Sequence, residues 1–198
     1  MRELVYFIAS SLDGFIADPE GNDPTGPGGF WPIGEDYVAH LVSEYPETLP
    51  GAAREAMGIA GDGRRFDTVL EGRRTHEVGL EAGVTDAYPH LRHFVFSRTI
   101  ESSDPRVTVV DGDPVAIVRE LKGESSDRDI WLVGGGDLAG TLLPEIDRLV
   151  VKLAPVTIGA GTPLFGRHVE FAPQQWRLAD HTVLASGTIF LTYERRAD

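Results

Sequence analysis

The feature that most constrains this chain is a repeated exchange of β-rich runs for helical ones between residues 68 and 153. A strand over 68–71 gives way to a helix over 75–81. A strand over 93–97 leads through a short strand over 107–110 to a helix over 114–122. A strand over 130–133 then leads to a helix over 137–143 and a strand over 149–153. Strands separated by helices join in parallel, so the pattern predicts an α/β fold with a mostly parallel sheet, covered on both faces through right-handed crossovers. The apolar run over 3–9 supplies a buried first strand, and Tyr37, Leu41 and Val42 put helical spacing into 35–44. A second short helix over 50–57 starts at a proline. After residue 153 the rhythm changes: two β-rich runs, 176–183 and 188–193, flank Ala185, Ser186 and Gly187, which predicts a closing antiparallel hairpin. At 198 residues the chain suits one domain over 1–198.

Charge narrows the choice of ligand. Eighteen Lys and Arg against thirty-one Asp and Glu leave a net charge of −13, which excludes a broad nucleic-acid face, because phosphate neutralisation needs concentrated cations. An anionic ligand must therefore use a local basic pocket. The absence of cysteine removes disulfides and thiolate zinc sites. The first ten residues lack a signal-peptide pattern and no apolar stretch approaches a membrane span, so the expectation is a cytoplasmic protein without membrane partners.

Three strand-to-helix or strand-to-loop turns could hold a dinucleotide. In IWLVGGGDLAG a strand runs into three glycines and a helix, where backbone can approach a diphosphate and free N–H groups meet it. Gly134, Gly136 and Ala139 fit a loose dinucleotide spacing. The acidic residue expected about twenty positions later in an ordinary dinucleotide fold is missing, since that stretch reads VVKLAPV; a plain tight turn is the alternative. In LEGRRTHE, Gly72, Arg73, Arg74 and Thr75 sit at a helix start, with Thr75 as a helix cap and either arginine available to phosphate. In VFSRT, Ser97 and Arg98 follow another strand. All three turns fall at the carboxyl ends of strands, where open α/β sheets bind ligands, and arginines there favour NADPH over NADH.

Further candidates are less specific. Asp13 suits either a substrate anchor or an Asx-type turn beside Gly14. Asp36 and Glu35 suit either binding of a ring amide or a favourable charge in a first helical turn. Phe30 and Trp31, at the end of a Gly- and Pro-rich loop over 18–34 that includes Gly28, could stack on a planar substrate or anchor packing. His90 and His93 show no carboxylate companion at ligand spacing, so no metal site is expected and both read as surface or capping residues.

The succession SLDGFIA, LEGRRTHE, VFSRT, WLVGGGDLAG and APVTIGAGTPLFG, in order along nearly the whole chain, resembles the dihydrofolate reductase superfamily. It is most similar to the reductase domain of the bifunctional riboflavin-biosynthesis deaminase-reductase and its stand-alone relatives. The resemblance implies a three-layer α/β/α domain, NADPH as cofactor and a homodimer. It implies that Gly72, Arg73, Arg74 and Thr75 grip cofactor phosphates, and that Ser97 and Arg98 lie near the adenosine 2′-phosphate. Gly135, Gly136, Asp137 and Leu138 match the diphosphate turn, Ala9 sits where the first strand meets the nicotinamide, and Ser11, Leu12, Asp13 and Gly14 match a loop over the active site. In the riboflavin-type reading, Thr157, Gly159, Gly161 and Thr162 face the substrate's phosphoribosyl group. No zinc-deaminase signature accompanies these motifs, and the acidic residue of dihydrofolate reductases is matched only approximately by Glu35 or Asp36.

The expectation is an NADPH-dependent oxidoreductase that reduces a small heterocycle, pterin-like or ribosylaminopyrimidine-like, with Asp13 and Asp36 as catalytic candidates and Ser11, Phe30 and Trp31 as substrate contacts. A non-catalytic NADPH sensor is the alternative, because a cofactor grip does not prove turnover.

Overall fold

The computed structural model describes residues 1–196 except 23, 27, 28, 62 and 103; Gly28 of the Gly- and Pro-rich loop therefore lies outside the described residues. Among the described residues, ten strands and five helices follow one another as β1 (Leu4–Ser10), β2 (Phe15–Ala17), α1 (Glu35–Glu44), α2 (Gly51–Ala56), β3 (Phe66–Gly72), α3 (Arg73–Glu81), β4 (Arg92–Phe96), β5 (Val107–Val110), α4 (Pro114–Gly123), β6 (Asp129–Gly134), α5 (Gly136–Thr141), β7 (Arg148–Leu153), β8 (Thr162–Pro163), β9 (Trp176–Val183) and β10 (Ile189–Arg195), with short 3₁₀ turns at Pro46–Thr48 and Leu143–Glu145.

Eight strands form one sheet in the order β5-β4-β3-β6-β1-β7-β10-β9. The first six are mutually parallel, while β10 runs antiparallel to β7 and pairs antiparallel with β9. The period-2 alternation of strand side chains divides β1 between two cores. Leu4 and Tyr6 point to a layer that includes Val118 and Leu121 of α4 and Leu138, Ala139 and Leu142 in and after α5. Val5 and Phe7 point to the opposite layer, with Tyr37 and Leu41 of α1, Phe66, Trp131 and Phe190. Helices therefore cover both faces, the three-layer α/β/α arrangement expected from the sequence.

Differences from the sequence reading are local. Helix α3 begins at Arg73, not at 75, because β3 runs without a break into it: extended Gly72 is the N-cap and no side chain caps the helix, so Thr75 lies inside the first turn. The segments following residues 14 and 161 are not plain loops. They pair as a second, two-stranded sheet, β2 with β8, in which Phe15 opposes Pro163 and Ala17 opposes Thr162.

Candidate cofactor and substrate site

The three turns meet at the carboxyl rim of β4, β3 and β6, adjacent in the sheet in that order. A Cβ placed on Gly72 would lie 3.6 Å from Gly135 N and 3.7 Å from Gly134 O, and one on Gly135 would lie 3.7 Å from Thr75 Oγ1. The turn into α3 thus touches the turn into α5. Arg73 donates to Thr99 Oγ1 at 3.1 Å and approaches Glu77 at 3.6 Å, linking the first turn to the loop after β4. There Ser97 Oγ accepts from the N–H groups of Thr99 at 3.2 Å and Ile100 at 3.0 Å, so this serine shapes its own loop. Gly134 takes φ 136°, a conformation open to glycine, and precedes a cis peptide to Gly135.

The glycines of WLVGGGDLAG divide into two roles. Gly72, Gly134 and Gly135 face each other across an open notch. Gly136 does not: its Cβ would fall 2.3 Å from Pro163 O and 2.7 Å from Gly166 N, and that of Gly140 2.4 Å from Phe165 O. Those two positions let residues 163–167 lie directly on α5. Asp137 joins that contact by accepting from Arg167 N at 3.4 Å, and Leu138 is buried in the α4–α5 core.

Neither α3 nor α5 has a side-chain cap, so first-turn N–H groups of two adjoining helices are left for a ligand or water. The cations complete the picture. Arg74, Arg98 and Lys152 make no hydrogen bond or ion pair among the described residues, whereas every other arginine and lysine has one. Arg74 and Arg98 are exposed beside the notch.

A second part of the rim is built around the ends of β1 and β7, where Ala9 pairs with Lys152. Buried Ser11 donates to Asp13 Oδ1 at 2.6 Å and accepts from Phe15 N at 3.0 Å. Asp13 Oδ2 accepts from Ile158 N at 3.1 Å and Gly159 N at 2.7 Å, tying this loop to residues 156–159. The Ser11 hydroxyl and these backbone donors hold the Asp13 carboxyl below its usual range. Asp36 accepts from Tyr37 N at 2.8 Å and, through its other oxygen, from Ser186 N at 2.7 Å. The Ser186 backbone N–H is the chief reason that its carboxyl is likewise lowered. Both carboxylates remain ionised near neutral pH, with their oxygens engaged by backbone. Glu35 is exposed in the first turn of α1.

The loop over 18–34 is fixed at two sides of this rim: Thr162 Oγ1 donates to Asp18 O at 3.4 Å, and a Cβ on Gly34 would lie 3.3 Å from Ser186 Cβ. Phe30 and Trp31 pack with ring centroids 5.5 Å apart; Trp31 is buried, with Nε1 lacking a hydrogen-bond partner among the described residues. A cleft of about 250 Å³ between α1 and the β9–β10 hairpin is lined by His40, Tyr45, Arg65, Asp180 and others, and none of the three turns reaches it.

The histidines correct the sequence reading. His93 is fully buried, with Nδ1 2.9 Å from Asp86 Oδ1 and Nε2 2.9 Å from Glu71 Oε1. His76 Nδ1 lies 2.9 Å from the same Glu71 oxygen. The carboxylate companions come from β3 and from the segment before β4, which residue spacing could not reveal. Glu71, His76 and His93 bring ligand atoms within 4.8 Å of one another, close enough to share a cation, and each contact to Glu71 is already a hydrogen bond. His90 bonds the Glu47 carbonyl at 2.8 Å.

A mostly parallel, two-faced sheet with a glycine notch at its carboxyl rim and an antiparallel hairpin at one edge defines a dihydrofolate reductase-like α/β domain. Within that class the chain belongs to the RibD C-terminal domain family, whose model matches residues 2–190. It is 28% identical over 167 residues to the uncharacterized protein YwjB of Bacillus subtilis, covering 83% of each chain. A crystal structure from Shewanella sp. PV-4, assigned provisionally to riboflavin biosynthesis, superposes with a TM-score of 0.65 at 26% identity, over 100% of both chains. A pyrimidine reductase-like protein of Corynebacterium diphtheriae shares the fold at 16% identity, with a TM-score of 0.61, over 100% of this chain and 93% of the other.

Proposed function

We propose that this chain is an NADPH-dependent reductase of a small heterocycle, pterin-like or ribosylaminopyrimidine-like. The single observation that carries the reading is the pair of unpartnered arginines, Arg74 and Arg98, beside two uncapped helix starts at one rim of the sheet. In a chain of net charge −13, free guanidinium groups at one place select a ligand with several phosphate oxygens. Membership of the RibD C-terminal domain family and the Shewanella neighbour support a reductase of the riboflavin-pathway kind.

The residues fit the cofactor in three respects. Gly72, Gly134 and Gly135 leave room for a diphosphate against backbone N–H groups. Arg74 and Arg98 suit phosphate groups, including one on the adenosine ribose. Ala9, a small residue near the end of β1, leaves space for the reactive ring. When bound, the dihydronicotinamide supplies a hydride; the protein's work is to position two rings and exclude water. Calorimetric titration with NADPH and NADH, followed by absorbance measurements of dihydronicotinamide loss over a panel of pterins and ribosylaminopyrimidines, tests the reading. Binding of NADPH in preference to NADH, with oxidation by one compound class, is the expected result.

One observation favours the alternative of a non-catalytic NADPH sensor. Asp13 and Asp36 are both held ionised by hydrogen bonds from backbone N–H groups and, for Asp13, from the Ser11 hydroxyl, which leaves neither as a proton donor. Tight NADPH binding with no oxidation by any compound of the panel would decide for the sensor.

A further inference from the structure

Lys152 is the third cation with no hydrogen bond or ion pair among the described residues, and its surroundings differ from those of the two arginines. It is the penultimate residue of β7, directly across from Ala9 of β1 on one side and Phe190 of β10 on the other. Its ammonium lies 4.2 Å from the centroid of the Phe7 ring, which gives the nitrogen an apolar floor, and the residue as a whole is half-buried. Around that floor stand Tyr45 against Phe7, at 4.6 Å between centroids, and Tyr37 and His40 of α1 against Phe190, at 5.7 Å and 4.3 Å. Asp36, the carboxylate at the head of α1, is turned to Ser186 N. No carboxylate among the described residues forms an ion pair with Lys152. An ammonium taken out of water without a counter-ion is costly, and a ring face returns only part of that cost.

We propose that Lys152 is the substrate anchor of this site: its ammonium receives an oxyanion, or a ring carbonyl oxygen of high negative charge, on a planar heterocycle lying against the Ala9 end of β1. This rests on the reductase reading for the position of the cofactor, and narrows its substrate to rings that carry such an oxygen. The geometry suits the task. The Lys152 backbone is level with Ala9 on the same face of the sheet and its ammonium lies over Phe7, two residues back along β1, so an oxygen held at Nζ leaves the rest of the ring above β1, where a hydride donor would stand. Burial lowers the Lys152 ammonium to a pKa of about 7, so its charge falls away within a workable pH range.

The probes are barbiturate, a pyrimidine ring that is an oxyanion at neutral pH, and uracil, its neutral counterpart. By calorimetry at pH 6 the wild type is expected to prefer barbiturate by about ten- to a hundredfold, the range of one charge-assisted hydrogen bond. That preference should shrink at least severalfold at pH 9. Lys152→Met, an unbranched side chain one atom shorter that carries no charge, should abolish both the preference and its pH dependence. If His40 were responsible for the pH dependence, it would survive in Lys152→Met. An unchanged barbiturate affinity in Lys152→Met, a preference that does not decline with pH, or no barbiturate binding by a folded wild type would overturn the proposal. A parallel NADPH titration keeps the two readings apart. Failure of NADPH to bind the wild type sinks the reductase reading and leaves the barbiturate comparison to judge Lys152, whereas NADPH binding that is equal in wild type and Lys152→Met locates the lysine's role with the second ligand.

Discussion

Arg74 and Arg98 sit where a strand has just ended, and a sequence reader can find them by that position alone. Their lack of partners is what the folded chain adds, because in a protein with so many carboxylates an arginine is normally claimed by one of them. Arg98→Ala or Arg74→Ala is therefore expected to weaken NADPH by about ten- to a hundredfold, one charge-assisted contact, and NADH by much less. Equal losses for the two nucleotides in a binding titration would contradict the assignment. Lys152 was not legible in the same way. A single lysine in VVKLAPV reads as one polar position of a strand, and only the register that sets it beside Ala9 and over Phe7 exposes its isolation. Its lowered ammonium has a consequence for stability. Below about pH 7 the lysine is protonated in both folded and unfolded chains, and the fold bears the cost of a poorly solvated charge. From there up to the ordinary lysine value of 10.5 the unfolded chain holds the proton and the folded chain does not, so stability rises with pH. Urea titrations should show wild type gaining on Lys152→Met across that window, and parallel curves would refute the buried charge.

At the level of elements, the strand-to-helix turns were readable because glycine runs and β-branched strands leave strong marks, whereas the β2–β8 pair was not. Two strands of three and two residues carry no periodicity, and they exist because Gly161 and Gly136 permit backbone contacts that a Cβ would block, at 2.2 Å from Ala17 O and 2.3 Å from Pro163 O. The same facts separate two neighbouring glycines that the motif treats alike. Gly136→Ala drives a methyl into the backbone of the segment over α5, and is expected to cost about 1–3 kcal/mol in equilibrium unfolding, the usual penalty of overpacking. Gly135→Ala meets only Thr75 Oγ1 at 3.7 Å, with φ −78°. It should stay within about 1 kcal/mol of the wild type while losing NADPH affinity, since its methyl enters the notch. A Gly135→Ala protein that binds NADPH normally would remove the diphosphate from that notch.

Across the whole molecule the charges divide by end of the sheet. At the amino rim buried Arg2 engages Asp67, Thr68 and Glu124, and cations there serve the fold; at the carboxyl rim Arg74, Arg98 and Lys152 make no hydrogen bond or ion pair among the described residues. Between them, His93 joins β4 to β3 through Glu71 and to the preceding segment through Asp86. Both ring nitrogens face carboxylate oxygens, which only the imidazolium satisfies with two donated hydrogen bonds. Burial opposes that charge, yet the bonds to Glu71 and Asp86 prevail and raise the His93 pKa above 6.5. Burial likewise opposes ionisation of Glu71, and the bonds from His76 and His93 prevail, lowering it below 4.5. The histidine's contribution is complete below pH 6.5 and is lost as pH climbs through its raised value. The glutamate's is complete above pH 4.5 and is lost as pH drops through its lowered value. Their overlap lies between pH 4.5 and 6.5, so a His93→Gln variant, which leaves two buried carboxylates facing an amide, should show its greatest deficit there, about 3–5 kcal/mol. The gap to wild type should narrow as pH rises beyond that window, because the wild-type imidazolium is then losing its proton too. Denaturant unfolding of the two proteins at pH 5.5 and pH 8.5 measures the difference. A deficit that is small at pH 5.5 or grows toward pH 8.5 would mean that His93 is neutral in the folded chain and that one of its carboxylate neighbours carries the proton instead.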